Sequence, residues 1–220
     1  MIARELIIYD VPPIKPDESM EKALNWMDEF RVSHLPVVDN NNYFGLVSDS
    51  MIYDYNEPSS PVSDLKLSVN RPFVQENHHM YKVMQLVSEF KLSVVPILDL
   101  KKKYIGLTTL SYLMKIITSN SSYSEQGSVV VLVMNQHDYS MAHIAQIVES
   151  NDARILSSYV TSEVDSKKME ITLKINRKNI DSVLQTFNRF DYKVKAVFSD
   201  EEFEHDMKIR YEGLMKFLNI

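Results

Sequence analysis

The sequence predicts an α+β fold in two parts, closed by a C-terminal helix. Three observations carry this. Residues 20–46, MEKALNWMDEFRVSHLPVVDNNNYFGL, recur as residues 80–107, MYKVMQLVSEFKLSVVPILDLKKKYIGL. Met20/Met80, Lys22/Lys82, Glu29/Glu89, Phe30/Phe90, Ser33/Ser93, Pro36/Pro96 and Asp39/Asp99 keep an offset of 60, and Tyr43/Tyr104, Gly45/Gly106 and Leu46/Leu107 keep 61 after one insertion. A repeat this short is one supersecondary unit, too small to bury its own apolar face, so two copies pack together as the folding unit. The second observation is a different rhythm over residues 128–199, which read as β-α-β-β-α-β. The third is the polar stretch between them, TSNSSYSEQG, with the composition of a linker.

In the first copy, Pro12, Pro13 and Pro16 fix an extended lead-in and deny it helix. Asp17 or Ser19 caps the helix that follows. Met20, Ala23, Leu24, Met27 and Phe30 form one apolar helical face. Leu35 to Val38 is a short buried strand, 39–42 (DNNN) a turn, and 43–47 the returning strand. Ser48 or Asp49 caps a short helix. After the linker 57–61 (EPSSP) the series restarts, with Met80, Val83, Met84, Val87 and Phe90 repeating the face. Strands 94–98 and 104–108 flank the Lys101-Lys102-Lys103 turn, and Thr109 caps the next helix.

In the second part, 129–134 is an apolar strand, 140–150 a helix with Met141, Ile144, Ala145 and Val148 on one face, and 153–162 and 169–175 are strands turning at 166–168. Residues 179–190 form a helix aligning Ile180, Val183, Leu184 and Phe187, and 194–198 is the last strand. The C-terminal helix, 200–218, opens on acids that suit its dipole and carries the stripe Phe203, Met207, Tyr211, Leu214, Leu218.

Composition narrows function. Net charge is −6 and divides evenly: residues 1–117 and 118–220 each carry 12 basic and 15 acidic side chains. No basic face is implied, which argues against nucleic acid or an anionic membrane as partner. With no cysteine, disulfides, thiolate metal sites and cysteine nucleophiles are excluded. Four glycines, two of them spent on the repeat, leave no glycine-rich phosphate loop. The first ten residues do not read as a signal peptide, no apolar run reaches spanning length, and the cytoplasm is the expected location.

The repeated order of lead-in strand, helix, β-hairpin and short helix resembles the cystathionine-β-synthase (CBS) domain. So do the texts VSHLPVVD followed by FGLVS, and LSVVPILD followed by YIGLTT. The β-α-β-β-α-β part, by length and position, resembles an ACT domain. The implied fold is a tandem CBS-domain pair (repeat 1 over 1–58, repeat 2 over 59–117), a linker over 118–127, a ferredoxin-like βαββαβ (ACT-like) domain over 128–199 and a C-terminal helix over 200–220. This arrangement is similar to CBS/ACT proteins of the acetoin-utilisation type. The resemblance implies a non-catalytic regulatory protein and a homodimer. It also implies an adenine-containing ligand such as AMP, ATP or S-adenosylmethionine between the repeats, and a regulated enzyme or other protein as partner. No cofactor or metal is required.

The family's ligand pattern is glycine, two apolar residues, threonine or serine, two of any type, then an aspartate for the ribose. Here it reads Gly45-Leu46-Val47-Ser48-Asp49-Ser50-Met51 and Gly106-Leu107-Thr108-Thr109-Leu110-Ser111-Tyr112. The hydroxyls survive as Ser48 and Thr109. Met51 and Tyr112 replace the ribose carboxylate, and Asp49 lies about 160° around a helix from that position. Ser48 and Thr109 are therefore ligand candidates, with helix capping as the plainer role. His34 is a candidate for adenine, or a half-buried polar residue. Lys15 and Arg71 are candidates for phosphate, or ordinary surface cations. The ACT resemblance points to the loop after strand 129–134, with Asp138 and Ser140 as ligand candidates or helix caps. Met141 stands where that family places glycine.

An enzyme has no residue set behind it. The six histidines are scattered, His78 and His79 are expected to diverge on a helix, and neither HExxH nor GxSxG occurs. The twelve methionines read as core. The alternative class is a ligand-independent oligomerisation scaffold with decayed sites, favoured by the two lost aspartates.

Overall fold

A computed structural model describes residues 1–67, 71–119, 121–162 and 167–199. The chain divides into two compact units, Met1–Ile117 and Thr118–Ile220.

The first unit runs α1 (Met20–Glu29), β1 (His34–Asp39), β2 (Asn42–Ser48) and α2 (Asp49–Tyr55), then β3 (Val74–Gln75), α3 (Met80–Phe90), β4 (Val94–Leu98), β5 (Tyr104–Thr109) and α4 (Leu110–Thr118). Ser19, not Asp17, caps α1 by accepting from the Lys22 N–H. Each hairpin is antiparallel, and each lead-in pairs parallel to the first hairpin strand: Ile14 with Val37, Val74 with Ile97. Each hairpin carries a register shift, between Val37 and Val38 and between Ile97 and Leu98, with the extra residue (Phe44 or Ile105) in the returning strand.

The repeats exchange segments. The 3-10 turn Ala3–Leu6 belongs to the second copy's layer: the Ala3 N–H donates to the His78 carbonyl, Arg4 to Glu76 and Ile8 to Leu107. The matching 3-10 turn, Val62–Asp64, serves the first copy, where Val62 donates to Glu18, Ser63 to Pro16 and Met20 to Ser60. Bridges Ile2–His79 and Ser19–Pro61 are the same contact made once in each direction. The two glycines of the hairpins explain themselves here. A Cβ on Gly106 would sit 2.5 Å from Ile7 Cγ2; at Gly45 a Cβ would only touch Leu67 at 3.4 Å, and the φ of 147° is what favours glycine there. One hydrophobic cluster consequently spans both copies, with Ala3, Leu6, Ile14, Leu35, Val62, Val94 and Leu107 among its buried members.

Two expectations on helix faces change. Leu86, not Met84, is the buried partner of Val83 on α3, and Met84 is exposed. The face turned inward follows the 83–86 ridge because α3 packs on the Ala3–Leu6 turn as well as on β4. His78 and His79 are not helical: α3 begins at Met80, His79 caps it by accepting from Tyr81 N–H, and His78 Nδ1 accepts from Gln75 N–H.

Thr108 is fully buried, and its hydroxyl has no hydrogen-bond partner among the described residues. Its counterpart in the first copy is Val47. A buried, unpaired hydroxyl costs its desolvation, so Thr108→Val is expected to stabilise the chain by about 1 kcal/mol in denaturant unfolding.

The second unit holds α5 (Ser121–Ser124), β6 (Ser128–Asn135), α6 (Met141–Glu149), β7 (Ile155–Ser162), β8 (Lys168–Ile175), α7 (Asp181–Arg189) and β9 (Lys193–Phe198). One helical turn, α5, thus interrupts the stretch expected to be linker. The sheet order is β7-β8-β6-β9, all neighbours antiparallel, which is the ferredoxin-like βαββαβ topology. Alternate residues of β6 and β8, such as Val130, Leu132, Ile171 and Leu173, bury one face against Ile144, Val148, Val183 and Phe187 of the helices. The expected C-terminal helix lies outside the described residues.

Candidate functional site

Strands β1 and β4 begin side by side at one end of the first unit, and the helices α2 and α4 begin there too. The junction is symmetric in the backbone: Asp49 N–H donates to the Ser33 carbonyl at 3.2 Å, and Leu110 N–H to the Ser93 carbonyl at 3.0 Å. It is asymmetric in side chains, because His34 faces the junction where the second copy has Val94. Ser33 N–H donates to Ser93 Oγ at 2.9 Å. His34 Nδ1 lies 3.1 Å from both Ser33 Oγ and Ser93 Oγ, and Ser93 N–H points at it from 3.4 Å. A nitrogen accepting from a backbone N–H carries no proton, so the imidazole proton sits on Nε2.

Burial lowers the His34 pKa below its ordinary 6.5, against the opposing pull of the Asp49 carboxylate. The sign follows by linkage. The unfolded chain binds this proton more readily, so His34 contributes stability above about 6.5 that is lost as pH falls toward its folded pKa. His34→Val, the second copy's residue, is expected to flatten that acid limb, read as the difference between wild-type and variant unfolding across pH 5–8.

Ser48 and Thr109 are both buried N-cap hydroxyls. Ser48 Oγ accepts from Met51 N–H at 3.2 Å and lies 2.9 Å from Ser50 Oγ. Thr109 Oγ1 accepts from Tyr112 N–H at 3.1 Å and lies 3.1 Å from Ser111 Oγ. The two copies therefore share a second hydroxyl two residues on, which the spacing already displayed. Met51 packs against the core cluster and offers no polar group.

A cavity of about 690 Å³ opens at this junction, lined by Leu24, Met27, Val32, Ser33, Ser93 and Tyr53 with the charged Asp28, Glu29, Arg31 and Asp49. None of the sequence candidates His34, Ser48, Thr109, Lys15 and Arg71 is among its lining residues; His34 adjoins it through Ser33 and Ser93, which line it. The exposed Lys15 shares the start of α1 with Glu18, whose carboxylate accepts the Lys15 N–H. Arg71 lies beside Gly45, within reach of the Tyr43 hydroxyl's field. That tyrosine is at the opposite end, where the hairpin turns meet: Tyr43 OH donates to the Pro72 carbonyl at 2.9 Å, and burial raises the pKa of both Tyr43 and Tyr104.

The second unit has a cavity of its own, about 570 Å³. Antiparallel pairing makes it: the C-terminal end of β6 meets the N-terminal ends of β8 (Asn135–Lys168) and β9 (Val133–Lys193). Asp138 lines it and accepts from Asn135 Nδ2 at 2.9 Å. Ser140 instead caps α6 through His143 N–H. His143 Nδ1 lies 2.9 Å from Tyr192 OH, and its ring meets Phe190 edge-on at 5.0 Å. Sequence reasoning missed His143, Lys168, Tyr192 and Lys193, which no local motif connects.

The family described as CBS domain matches residues 3–57. The second copy repeats its helix, hairpin and closing helix element for element. The first unit is a CBS-domain pair. Curated relatives agree in region. Inosine-5'-monophosphate dehydrogenase of Methanocaldococcus jannaschii is 26% identical over 114 residues, 51% of this chain and 23% of that enzyme. The Aquifex aeolicus enzyme is 27% identical over 112 residues, 50% and 23%. The chain thus spans under a quarter of these relatives, and the likeness is to their CBS region.

Among solved structures, a CBS domain pair/ACT domain protein from Thermotoga maritima is 19% identical, covering 53% of this chain and 96% of that one, with a TM-score of 0.48. A second, CBSX2 in complex with AMP, is 25% identical, covering 53% and 95%, with a TM-score of 0.45. No described helix is long and apolar enough to cross a membrane, and the described residues hold no group of three or more potential metal ligands.

Proposed function

We propose that this chain is a non-catalytic regulatory protein whose CBS pair senses a small, adenine-containing metabolite between its repeats. The observation that carries the reading is the cavity beside the Ser33–His34–Ser93 junction. A ligand there touches both copies at once, so its binding energy acts on their relative packing. Ser33 and Ser93 line the cavity, and His34, hydrogen-bonded to both, is the candidate adenine partner behind them, with the capping hydroxyls Ser48 and Thr109 and the cations Lys15 and Arg71 as candidates outside the lining. The second unit is read as an ACT-like receiver, with Asp138 and Ser140 at its loop, and the whole as a cytoplasmic homodimer of the acetoin-utilisation type acting on a protein partner.

A ligand that binds only the native state raises its melting temperature. Thermal-shift titration with AMP, ATP, S-adenosylmethionine and a set of amino acids is expected to give a rise with at least one adenine compound. Silence across the panel at millimolar concentration removes the sensor reading.

A scaffold without ligand is the second reading, and one observation favours it. Met51 and Tyr112 occupy the ribose-carboxylate position, while Met84, Leu110 and Met114 leave apolar surface on α3 and α4. It predicts a tight oligomer indifferent to nucleotides, and a monomer in light scattering rules it out.

A further inference from the structure

Helices α6 and α7 bury one face of the second unit's sheet, yet its inner strand β6 is apolar on both. Residues directly opposite in an antiparallel pair share a face. Val130 with Leu173, and Leu132 with Ile171, take the helix side. Val129, Val131 and Val133 therefore project from the other side, half-buried and outside that core cluster. A strand with one solvated face alternates apolar with polar, whereas a continuous apolar run belongs to a strand covered on both faces. The apolar band continues across the sheet: Phe198 stands opposite Val129 and Ala196 opposite Val131, and Tyr159 joins the same row through Thr172. Phe198 is 61% exposed and Tyr159 59%. The one-turn α5 sits at the far edge, against β7.

The chain supplies a cover. β9 ends at Phe198, on this band, and residues 200–220 follow. Read as a helix, they align Phe203, Met207, Tyr211, Leu214 and Leu218. A helix over 200–218 spans about 28 Å, and the eight residues of β6 span about 27 Å, so the stripe matches the strand it would cover. Charge agrees. Glu170 is paired with Lys195, and Lys174 lies opposite Val129, where the chain would enter the face. The segment opens on acids, Asp200, Glu201, Glu202, Glu204 and Asp206, with no lysine or arginine before Lys208. We propose that residues 200–220 fold back as a helix over this face, laying their stripe on the β6 valines and Phe198 and adding a third layer to the second unit. The inference is independent of the sensor reading.

The chain has no cysteine, so single introduced thiols report on the face. Thr172→Cys places one at its centre, and Val130→Cys places one on the buried helix side. In the full chain both are expected to react slowly with N-ethylmaleimide. Adding Leu214→Asp breaks the stripe and should speed modification of the Thr172→Cys chain by about tenfold. The Val130→Cys thiol should stay protected, which separates release of the segment from unfolding. Mild oxidation of the full chain carrying Thr172→Cys with Met207→Cys, Tyr211→Cys or Leu214→Cys should give a disulfide within one chain for at least one pair. Equal modification rates with and without Leu214→Asp, or no disulfide from any pair, overturn the proposal. So do disulfides formed only between chains, which would assign the stripe to a second copy. Should Thr172→Cys not fold, Ala196→Cys on the same face takes its place.

Discussion

Leu6→Ala is expected to lower the unfolding free energy by about 2–5 kcal/mol, and to loosen the second repeat rather than the first. Leu6 is fully buried, and its 3-10 turn packs on α3 while donating backbone hydrogen bonds to residues 76 and 78. Removing its side chain leaves a cavity between that turn and the second copy. Hydrogen exchange should locate the loss: amides of α3 and β4 exchange faster, and those of α1 less so. Leu65→Ala, at the matching turn of the other segment, should reverse the pattern. Equal loosening of both copies by each variant would argue that the shared cluster opens as one body, and that the exchange carries no local stability.

Gly127→Ala is the second large effect, confined to the other unit. A Cβ at this position would lie 2.0 Å from the Ile175 carbonyl oxygen and 3.0 Å from its carbon. Those are backbone atoms of β8, fixed by pairing with Ser128 and Ile155, so no rotamer relieves the clash. The start of β6 must move away, at a cost of about 3 kcal/mol. Buried Ser128, whose hydroxyl donates to the Lys178 carbonyl at 2.6 Å, moves with it. Chemical denaturation of the variant should show an early transition for the second unit, with melting of the CBS pair unchanged.

Much of this architecture was legible in the sequence because it was written twice. The offsets of 60 and 61 mark the hairpins, the caps and the glycines. The segment exchange was not legible. Residues 2–8 and 61–67 share little but apolar spacing, and a local reading assigns each to the copy beside it in sequence. Their partners are set by packing across the repeats, where Ile7 meets Gly106 and Leu67 meets Gly45. Met84 shows the same limit: periodicity gives a face, and the neighbour decides which edge of it is buried.

The candidate sites divide in the same way. The hydroxyl caps and the missing carboxylates followed from spacing alone. The cavities did not, because Ser93 reaches the first across 60 residues and Lys193 reaches the second through antiparallel pairing. Charge was the least visible property. Two halves of equal net charge conceal a cavity with three acids and one base.

Ligand-dependent hydrogen exchange of the full chain, with saturating S-adenosylmethionine, tests the central claim most directly. Slower exchange over residues 31–35, 48–51 and 92–95 is the predicted result, since those backbones meet at the junction of the CBS pair. Protection confined to residues 133–143 and 190–193, or absent from the chain altogether, would contradict it.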